Sequence, residues 1–230
     1  MNLGRVPYVE AWELQRSLAA AVSQGAIPDT VLFLEHPPVV TLGRRTEAGE
    51  LHVPEDAEVE IVQTDRGGKS TYHGPGQLVC YPILDLTRHG TDVKRYCRDL
   101  EEALIRTLAA LGLEATRIEG FTGIWLDRPP RKIASIGIHV AKWVTTHGYA
   151  LNVDLDPAPF TQWITACGLE DAQFTTIARE LGRPVSVEEV RPLAAAALGE
   201  VFQLTFEELP ADTGPGLWPQ PTHARLASVT

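Results

Sequence analysis

Apolar residues recur along the chain in two different patterns, and each pattern occupies its own segments. Apolar positions three and four residues apart, as on one face of a helix, predict helices over 8–24, 92–111, 176–181 and 186–202. Short apolar runs separated by Gly and Pro predict strands, which cover 31–34, 39–42, 59–62, 78–83, 115–118, 122–126, 132–140 and 143–153. Strands are therefore grouped in the middle of the chain, and helices lie on its flanks.

The ends of two helices carry capping residues. Thr91 is the predicted N-cap of the second helix, and Gly112 ends that helix. Ser186 and Glu189 have the form of a capping box at the start of the last helix. Pro192 lies inside the last helix and removes a backbone donor, so the sequence predicts either a kink there or a later helix start.

Strands that follow one another through short turns pair mostly antiparallel. The sequence therefore predicts a mixed α/β (α+β) fold in which a largely antiparallel sheet is flanked by helices. With 230 residues, the chain is long enough for one domain, which we expect over residues 1–209. Residues 210–230 contain four prolines and two glycines without any apolar period, and they predict a poorly ordered tail.

Composition and charge exclude several classes of function. The chain has 20 Lys and Arg residues against 30 Asp and Glu residues, and this net charge of −10 has the wrong sign for a nucleic-acid partner. It has no apolar run long enough for a membrane span and no secretory signal. Its three cysteines lack regular spacing, which is typical of reduced thiols. We therefore expect a cytoplasmic protein with no nucleic-acid and no membrane partner. A monomer is expected as well, although these features do not determine the oligomeric state.

The sequence lacks the common motifs for metal and nucleotide binding. Gly68-Lys69-Ser70 resembles the end of a phosphate-binding P-loop, but Gln63 stands where that motif needs its first glycine. No G-x-G-x-x-G, C-x-x-C or H-E-x-x-H occurs, and the seven histidines are scattered. We expect neither a metal site nor chemistry driven by a nucleotide.

The stretch from Asp65 to Gln77 has the densest concentration of unusual residues. It holds four glycines and a proline in thirteen residues, so a ligand could approach its backbone closely and meet its amide donors. Arg, Lys, Tyr, His and Gln side chains surround these glycines. A hairpin loop with ordinary turn glycines is the alternative interpretation.

The last two predicted strands each carry small residues on one face. Period-two alternation places Ser135 and Gly137 together on the first strand, and Gly148, Ala150 and Asn152 together on the second. If these strands pair, the small residues leave a trough in which a slender apolar chain could lie. The alternative is that the small residues only allow a helix to pack closely.

One of the three cysteines stands where a reactive side chain could be exposed. Cys80 and Cys97 fall among apolar positions and are predicted core residues. Cys167 precedes Gly168 at an irregular junction, the kind of place where a side chain faces a pocket. A lone cysteine is also compatible with a purely structural role.

These segments, in this order, resemble the signatures of the lipoyl(octanoyl) transferases. The similarity runs from about residue 31 to residue 181, and its motifs are 66–77, 132–137, 147–153 and 166–168. The resemblance implies the α/β fold shared by the catalytic domains of biotin and lipoate protein ligases.

The resemblance also implies an activity, its partners and the roles of individual residues. An octanoyl group would pass from the phosphopantetheine of acyl carrier protein to a lysine of a lipoyl domain. The implied acceptors are the lipoyl domains of 2-oxo acid dehydrogenase complexes and the glycine cleavage H protein, and no further cofactor is implied. Cys167 would accept the acyl group as a thioester, and Lys132 would activate it. The residues implied to line the acyl pocket are Arg66, Gly67, Gly68, Lys69, Ser70, Thr71, Tyr72, His73, Ser135, Ile136, Gly137, Gly148, Tyr149 and Ala150.

Three questions stay open at this level. Strict alternation places Lys132 away from Ser135 and Gly137, unless the strand start is bulged or the pocket wraps around that end. His73 or His147 could activate the cysteine in place of the lysine. The alternative functions are an ATP-dependent lipoate or biotin ligase of the same fold and a non-catalytic binder of lipoyl domains or acyl carrier protein.

Basic residues cluster near the predicted pocket loops although the whole chain is acidic. We expect them to form a basic rim that attracts acidic carrier domains. They are Arg44, Arg45, Arg66, Lys69, Arg131, Lys132 and Lys142. Backbone N–H groups near Gly137 or Gly168 are candidate donors to a reaction oxyanion.

Overall fold

The computed structural model describes residues 1–47, 49–127, 129–165 and 173–207. Within those ranges the helices, in chain order, are α1 (Tyr8–Ser23), α2 (Val93–Ala109), α3 (Pro159–Gln162), α4 (Ile177–Leu181) and α5 (Val187–Phe202). The strands there are β1 (Asn2–Arg5), β2 (Thr30–Glu35), β3 (Val39–Leu42), β4 (Glu60–Gln63), β5 (Thr71–His73), β6 (Gln77–Ile83), β7 (Ala115–Ile118), β8 (Phe121–Leu126), β9 (Arg131–Ala141), β10 (Val144–Asn152) and β11 (Gln173–Phe174).

The apolar periods predicted most of these elements. Every predicted helix and strand is present, and its ends lie within two residues of the predicted ends. The periods did not predict β1, β5, α3 and β11. Each of these is two to four residues long, which is too short for a helical or strand period to show.

The strands form two sheets. The large sheet has the order β1-β2-β6-β10-β9-β8-β7, and β11 adds to one end of β9. Its neighbouring strands pair antiparallel except at β1–β2 and β9–β11. The small sheet has the order β4-β3-β5. These topologies confirm the predicted fold class, a mixed and largely antiparallel sheet flanked by helices.

The large sheet buries different side chains on its two faces. On the helix-pair face, which α2 and α5 cover, Leu78 packs in one core with Leu104 and Leu198. On the opposite face, named here the cavity face, Val79 packs in a second core with Leu18 of α1. Neighbouring residues of β6 thus enter opposite cores, as period-two alternation requires.

The caps of α2 and α5 differ in how well the sequence predicted them. Asp92 caps α2, and its carboxylate accepts the backbone N–H groups two and three residues ahead at 2.9 and 3.0 Å. The predicted cap Thr91 is wrong, because its φ of +49° is not the extended conformation of an N-cap. Ser186 Oγ accepts the Glu189 N–H at 3.2 Å, which confirms the start of the last helix. The later start considered for Pro192 is therefore wrong, since that proline lies inside α5.

The predicted tail, 210–230, lies outside the described residues. Along the part of the chain that the structure describes, no helix is both long and apolar enough to cross a membrane. The same ranges contain no group of three or more His, Cys, Asp or Glu side chains placed to hold a metal ion.

Candidate active site

A cavity of about 750 Å³ opens mainly on the cavity face of the large sheet, and its edge reaches Cys97 of α2. Its floor is the β9–β10 pair, in which Ser135 lies opposite Ala150 and Gly137 lies opposite Gly148. All four residues line the cavity. Their placement on a common face was predicted from alternation, and the observed register confirms it. Larger side chains at Ser135 and Ala150 would fill volume that the small ones leave open. At Gly148 the reason for glycine is different, because a Cβ there would clash with the Cys80 carbonyl oxygen and lie 2.7 Å from Pro82 Cδ of β6.

The loop after β4 lies directly over one end of this floor. The Gly67 N–H donates to the Ile138 carbonyl at 2.8 Å. A Cβ placed on Gly137 would lie 2.9 Å from the Gly67 carbonyl oxygen and 3.2 Å from Arg66 Cδ. Gly137 must therefore lack a side chain for the loop to reach the strand. A glycine inside a strand signals this kind of close approach.

Arg66 holds the loop in shape from within. It is 6% exposed, and its N–H groups donate to Thr41 Oγ1 and to the carbonyls of Thr41, Gly67 and Lys69 at distances between 2.6 and 3.1 Å. Burial lowers the pKa of this guanidinium from its ordinary value, but an arginine stays charged at neutral pH. All of these acceptors are neutral oxygens, so the loop places a positive charge in the cavity wall.

Lys132 reaches the cavity through a β-bulge. Ile124 and Trp125 are adjacent on β8, but their partners on β9 are Ala134 and Lys132, so Ile133 is an extra residue on β9. The bulge takes Lys132 out of the regular alternation. Lys132 is 5% exposed and lines the cavity beside the floor residues. Lys132 therefore shares the cavity with Ser135 and Gly137 because the start of β9 is bulged. A pocket that wraps around the strand end is not needed to explain its position.

The aliphatic part of the Lys132 side chain runs over Gly123. A Cβ on Gly123 would lie 2.7 Å from Lys132 Cε, and the Gly123 φ of +121° also favours glycine. Lys132 Nζ lies 5.2 Å from the ring centroid of Trp125, a cation–π distance. Gly123 therefore lets the lysine cross β8. The sequence held a signal for this contact, a glycine inside a predicted strand.

Cys167, the predicted nucleophile, lies outside the described residues, and so does Gly168. The described residues that flank this segment lie next to the cavity. Before it, the Thr165 N–H donates to the Glu50 carbonyl at 2.9 Å, and Glu50 is bonded to the cavity residue Lys69. After it, Phe174 lines the cavity wall.

The two described cysteines are poor nucleophiles. Cys80 is buried in the core, and burial raises the pKa of its thiol. Cys97 corrects a prediction, because it is half-buried and lines the cavity instead of lying in the core. It stands at the edge of the α2 stripe that Tyr96 and Leu100 form. Burial, and then the charge of Glu101, raises the pKa of the Cys97 thiol.

Tyr72 is the predicted lining residue that the structure places elsewhere. Because successive side chains of β5 point to opposite sides of the strand, Thr71 and His73 line the cavity and Tyr72 points away from it. Its ring packs edge-on against Phe160 and Trp163, with centroids 5.7 and 5.6 Å away. The other predicted lining residues do line the cavity: Arg66, Gly67, Gly68, Lys69, Ser70, Thr71, His73, Ser135, Ile136, Gly137, Gly148, Tyr149 and Ala150.

A cluster of tyrosine and histidine side chains forms another wall of the cavity, lined by Tyr8, Tyr81, His73 and His147 and backed by His36. Sequence reasoning missed Tyr8, Tyr81 and His36. Tyr8 Oη is hydrogen-bonded to His147 Nδ1 at 3.3 Å, and His147 Nε2 to Asp65 Oδ1 at 2.7 Å. His36 Nε2 is hydrogen-bonded to Tyr81 Oη at 2.7 Å. These residues come from distant parts of the chain, and no local pattern links them. Only the fold brings them together.

Burial keeps the histidines of this wall neutral. It lowers the pKa of His36 to about 4 and the pKa of His73 well below its ordinary value. It also lowers the pKa of His147, although the hydrogen bond to Asp65 acts in the opposite direction. Burial raises the pKa of Tyr8 to about 12. At neutral pH these four side chains are therefore uncharged hydrogen-bonding groups.

The predicted basic rim is smaller than expected. Arg44 and Arg45 are exposed and line the cavity, whereas Arg66 and Lys132 are buried in its wall. Lys142 is exposed in the turn between β9 and β10. The remaining two basic residues form ion pairs, Lys69 with Glu47 and Glu50, and Arg131 with Glu180.

Comparison with known proteins identifies the class to which this fold and cavity belong. The family model of the Lipoyl protein ligase A/B catalytic domain matches residues 7–199. A lipoate protein ligase from Thermoplasma acidophilum, whose structure was studied with its E2 lipoyl domain, superposes with a TM-score of 0.69 at 19% identity. The superposition covers 90% of this chain and 85% of that one. At this identity the likeness shows the fold alone.

Two curated relatives are more similar in sequence. An octanoyltransferase from Chloroflexus aurantiacus is 48% identical over 208 residues, covering 88% of this chain and 92% of that protein. An octanoyltransferase from Mycobacterium tuberculosis is 54% identical over 199 residues, covering 86% of this chain and 84% of that protein. The chain belongs to the Lipoyl protein ligase A/B catalytic domain family, and within it to the octanoyltransferases.

Proposed function

We propose that this enzyme transfers an octanoyl group from the phosphopantetheine thioester of acyl carrier protein to a lysine of a lipoyl domain. Cys167 holds the group in between as a thioester, and Lys132 activates that cysteine. The observation that carries the proposal is the bulge in β9, because it brings a buried lysine to the edge of an open trough. The proposed acceptors are the lipoyl domains of 2-oxo acid dehydrogenase complexes and the glycine cleavage H protein.

The first step exchanges one thioester for another. The Cys167 thiolate attacks the octanoyl carbonyl, a bond forms between sulfur and the carbonyl carbon, and the pantetheine sulfur leaves and takes up a proton. An ordinary thiol with a pKa of about 8.5 is only about 3% thiolate at pH 7. A lysine ammonium beside the sulfur favours the thiolate, and a neutral lysine amine could instead take the proton. Lys132 is the proposed group for either role.

The second step converts the thioester into an amide. The acceptor lysine amine attacks the acyl carbon, a bond forms between nitrogen and that carbon, and the Cys167 sulfur leaves as the thiolate. The proton that the amine loses passes to the solvent or to the thiolate. This step is downhill because an amide is more stable than a thioester, so the reaction as proposed has no need of ATP. The positive charge of Arg66 in the cavity wall favours the negative charge that develops in both steps.

The cavity floor supports an acyl ligand. Ser135, Gly137, Gly148 and Ala150 leave an uncharged trough along the β9–β10 pair. Burial of a methylene group stabilises a complex by about 0.8 kcal/mol, so an eight-carbon chain gains roughly 5 kcal/mol gross. That gain separates octanoyl from acetyl groups, whereas neighbouring chain lengths differ only several-fold.

The contacts of the two candidate histidines argue against a Cys–His mechanism. His73 is hydrogen-bonded to Gln77 through Nδ1 at 2.8 Å and to Thr41 through Nε2 at 3.4 Å. Both ring nitrogens of His147 are also engaged, with Tyr8 and Asp65. Burial lowers the pKa of both histidines, which weakens them as bases. Lys132 remains the better supported partner.

Intact-protein mass spectrometry tests the proposal directly. The purified enzyme is mixed with octanoyl-loaded carrier protein in the absence of any acceptor. We expect the enzyme to gain the mass of one octanoyl group, and we expect Cys167→Ala to gain none. Acyl-enzyme formation by Cys167→Ala would overturn the proposed nucleophile. If only His73→Ala abolishes acylation while Lys132→Ala acylates normally, a Cys–His pair is correct.

Two further reactions separate the alternative functions. Free octanoate with ATP and a lipoyl domain should yield no modified lysine, and a modified lysine there would identify a ligase. A protein that binds both partners but never transfers the octanoyl group, with or without Cys167, would be a non-catalytic binder.

A further inference from the structure

Two buried hydroxyl groups on the cavity wall have no hydrogen-bond partner in the described part of the chain. They are Ser70 Oγ and Thr46 Oγ1. Both residues line the cavity, and Ser70 is 6% exposed. Buried hydroxyls in proteins are nearly always paired, so an unpaired one at a cavity points to a ligand that supplies the missing partner.

The two hydroxyls are carried by two loops that are bonded to each other. The Arg44 N–H donates to the Arg66 carbonyl and the Arg45 N–H to the Gly68 carbonyl, both at 3.0 Å. The Thr46 N–H closes a turn onto the Gly43 carbonyl, also at 3.0 Å. Backbone bonds thus hold this side of the cavity in one arrangement, and a ligand would meet preformed polar groups.

Next to these hydroxyls, a pair of arginines is open to a ligand. Arg44 and Arg45 are exposed, line the cavity, and have no carboxylate within ion-pair distance among the described residues. Lys69, in contrast, already pairs with Glu47 and Glu50. The arginine pair is therefore suited to bind an anionic group of a ligand that enters the cavity.

The cavity is also larger than an octanoyl group needs. At about 30 Å³ per non-hydrogen atom, the share that a water takes in the liquid, the nine heavy atoms of octanoyl occupy about 270 Å³. More than half of the cavity of about 750 Å³ remains. On the same scale a pantetheine arm, with roughly twice as many heavy atoms as octanoyl, needs about 540 Å³, so the space that remains holds most of it.

We propose that this side of the cavity binds the phosphopantetheine arm of the acyl donor, with Ser70 and Thr46 bonding its amide groups and Arg44 and Arg45 its phosphate. The inference rests on the proposed function, since it assumes a pantetheine thioester as donor. The order of groups agrees with the arm: neutral amides lie near the thioester and the phosphate follows at the outer end. In the protein, the two hydroxyls are buried and the two arginines are exposed, so the arginines lie nearer to solvent.

Donors of increasing length test the hydroxyls. The octanoyl thioesters of mercaptoethanol, pantetheine and phosphopantetheine are compared by acyl-enzyme formation. We expect the double variant Thr46→Val, Ser70→Ala to lose about tenfold in kcat/KM with both pantetheine donors. The mercaptoethanol thioester, which has no amide, should lose much less, because only the place of Ser70 in the acyl pocket is then affected. Equal losses with all three donors would overturn the assignment of the hydroxyls.

The same donors test the arginines. Arg44→Gln with Arg45→Gln should raise KM for the phosphopantetheine thioester about tenfold to hundredfold and leave the pantetheine thioester unaffected. Arg5→Gln, an exposed arginine on β1, is the matched control. A loss confined to intact carrier protein, with both free thioesters unaffected, would overturn the phosphate contact in favour of the carrier surface.

A stability measurement separates binding from folding. Ser70→Ala removes a buried hydroxyl without a partner, so we expect an unchanged or higher Tm together with weaker donor binding. A lower Tm that accompanies equal losses with every donor would show a structural role. A wild-type enzyme inert towards every thioester would overturn the proposed function itself, whereas an active wild type with unaffected variants would overturn only this subsite.

Discussion

The two faces of the large sheet are built from the same strands but have opposite properties. On the helix-pair face, large apolar side chains such as Leu78, Leu151 and Leu104 fill the space between strands and helices. On the cavity face, β9 and β10 carry small side chains such as Ser135 and Ala150, and a cavity of about 750 Å³ remains. One face therefore supplies stability through apolar burial, and the other gives up part of that stabilisation because its cavity stays open.

The faces also differ in the polar groups they bury. The cavity face holds Arg66, Lys132 and a histidine–tyrosine wall, all nearly inaccessible to solvent. Such groups are costly to bury, and here they are held by hydrogen bonds and by the loop that Arg66 organises. The loss of a side chain should therefore damage stability on the helix-pair face and chemistry on the cavity face.

The largest expected effect is on the chemistry of the cavity face. Lys132→Met keeps an unbranched side chain of similar length over Gly123 but removes the ammonium. We expect acyl-enzyme formation to slow by about a thousandfold, measured by rapid-quench mass spectrometry, with Tm nearly unchanged. Lys142→Met, at the exposed turn, is the control and should react normally. A normal rate of acyl-enzyme formation for Lys132→Met would show that this side chain of the cavity face does not take part in the chemistry.

The next effect concerns the helix-pair face. Leu78→Ala leaves a cavity in a fully buried core, and we expect the free energy of unfolding to fall by about 2–5 kcal/mol. Urea denaturation measures this change. At temperatures where the variant stays folded, its preference among acyl chain lengths should equal that of the wild type. A changed preference would mean that the two faces are coupled.

The pH dependence of stability tests the neutral histidines of the cavity face. Burial holds the pKa of His36 at about 4 in the folded state, below the ordinary value of 6.5. Between these values the unfolded chain binds more protons, so stability falls as the pH falls from about 6.5 towards 4. At pH 5 this histidine alone should cost about 2 kcal/mol.

Chemical denaturation between pH 7 and pH 5 measures this slope. In His36→Gln the free energy of unfolding should depend less steeply on pH, because one proton fewer is taken up on unfolding. His52→Gln, at an exposed position, should leave the slope unchanged. The same slope in the wild type and in His36→Gln would show that His36 is not the group responsible.

The smallest expected effect concerns the size of the trough. Ser135→Val adds bulk to the floor without altering the helix-pair face. We expect the preference to move towards hexanoyl over octanoyl, by roughly fourfold for each methylene that no longer fits, since a methylene contributes about 0.8 kcal/mol. Competition between the two carrier-bound acyl groups measures it. An unchanged preference would place the acyl chain away from Ser135.

Sequence reasoning predicted the cavity floor and the loop above it well because their signals are local. Ser135 and Gly137 share a face by period two, and the glycines beside Arg66 stand next to one another in the chain. It misplaced Tyr72, since β5 is too short to show an alternation. It also placed Cys97 in the core, because a residue at the edge of a helical stripe has the same spacing as one at its centre.

Periods of two and 3.6 residues in the sequence are enough to predict most helices and strands, the fold class, and which residues of β9 and β10 face the cavity. Only the tertiary structure decided that a bulge at Ile133 turns Lys132 towards the cavity. Only the tertiary structure also joined Tyr8, His36 and His147 into one wall. Strand register and contacts between distant segments depend on how the whole chain packs, which no local pattern encodes.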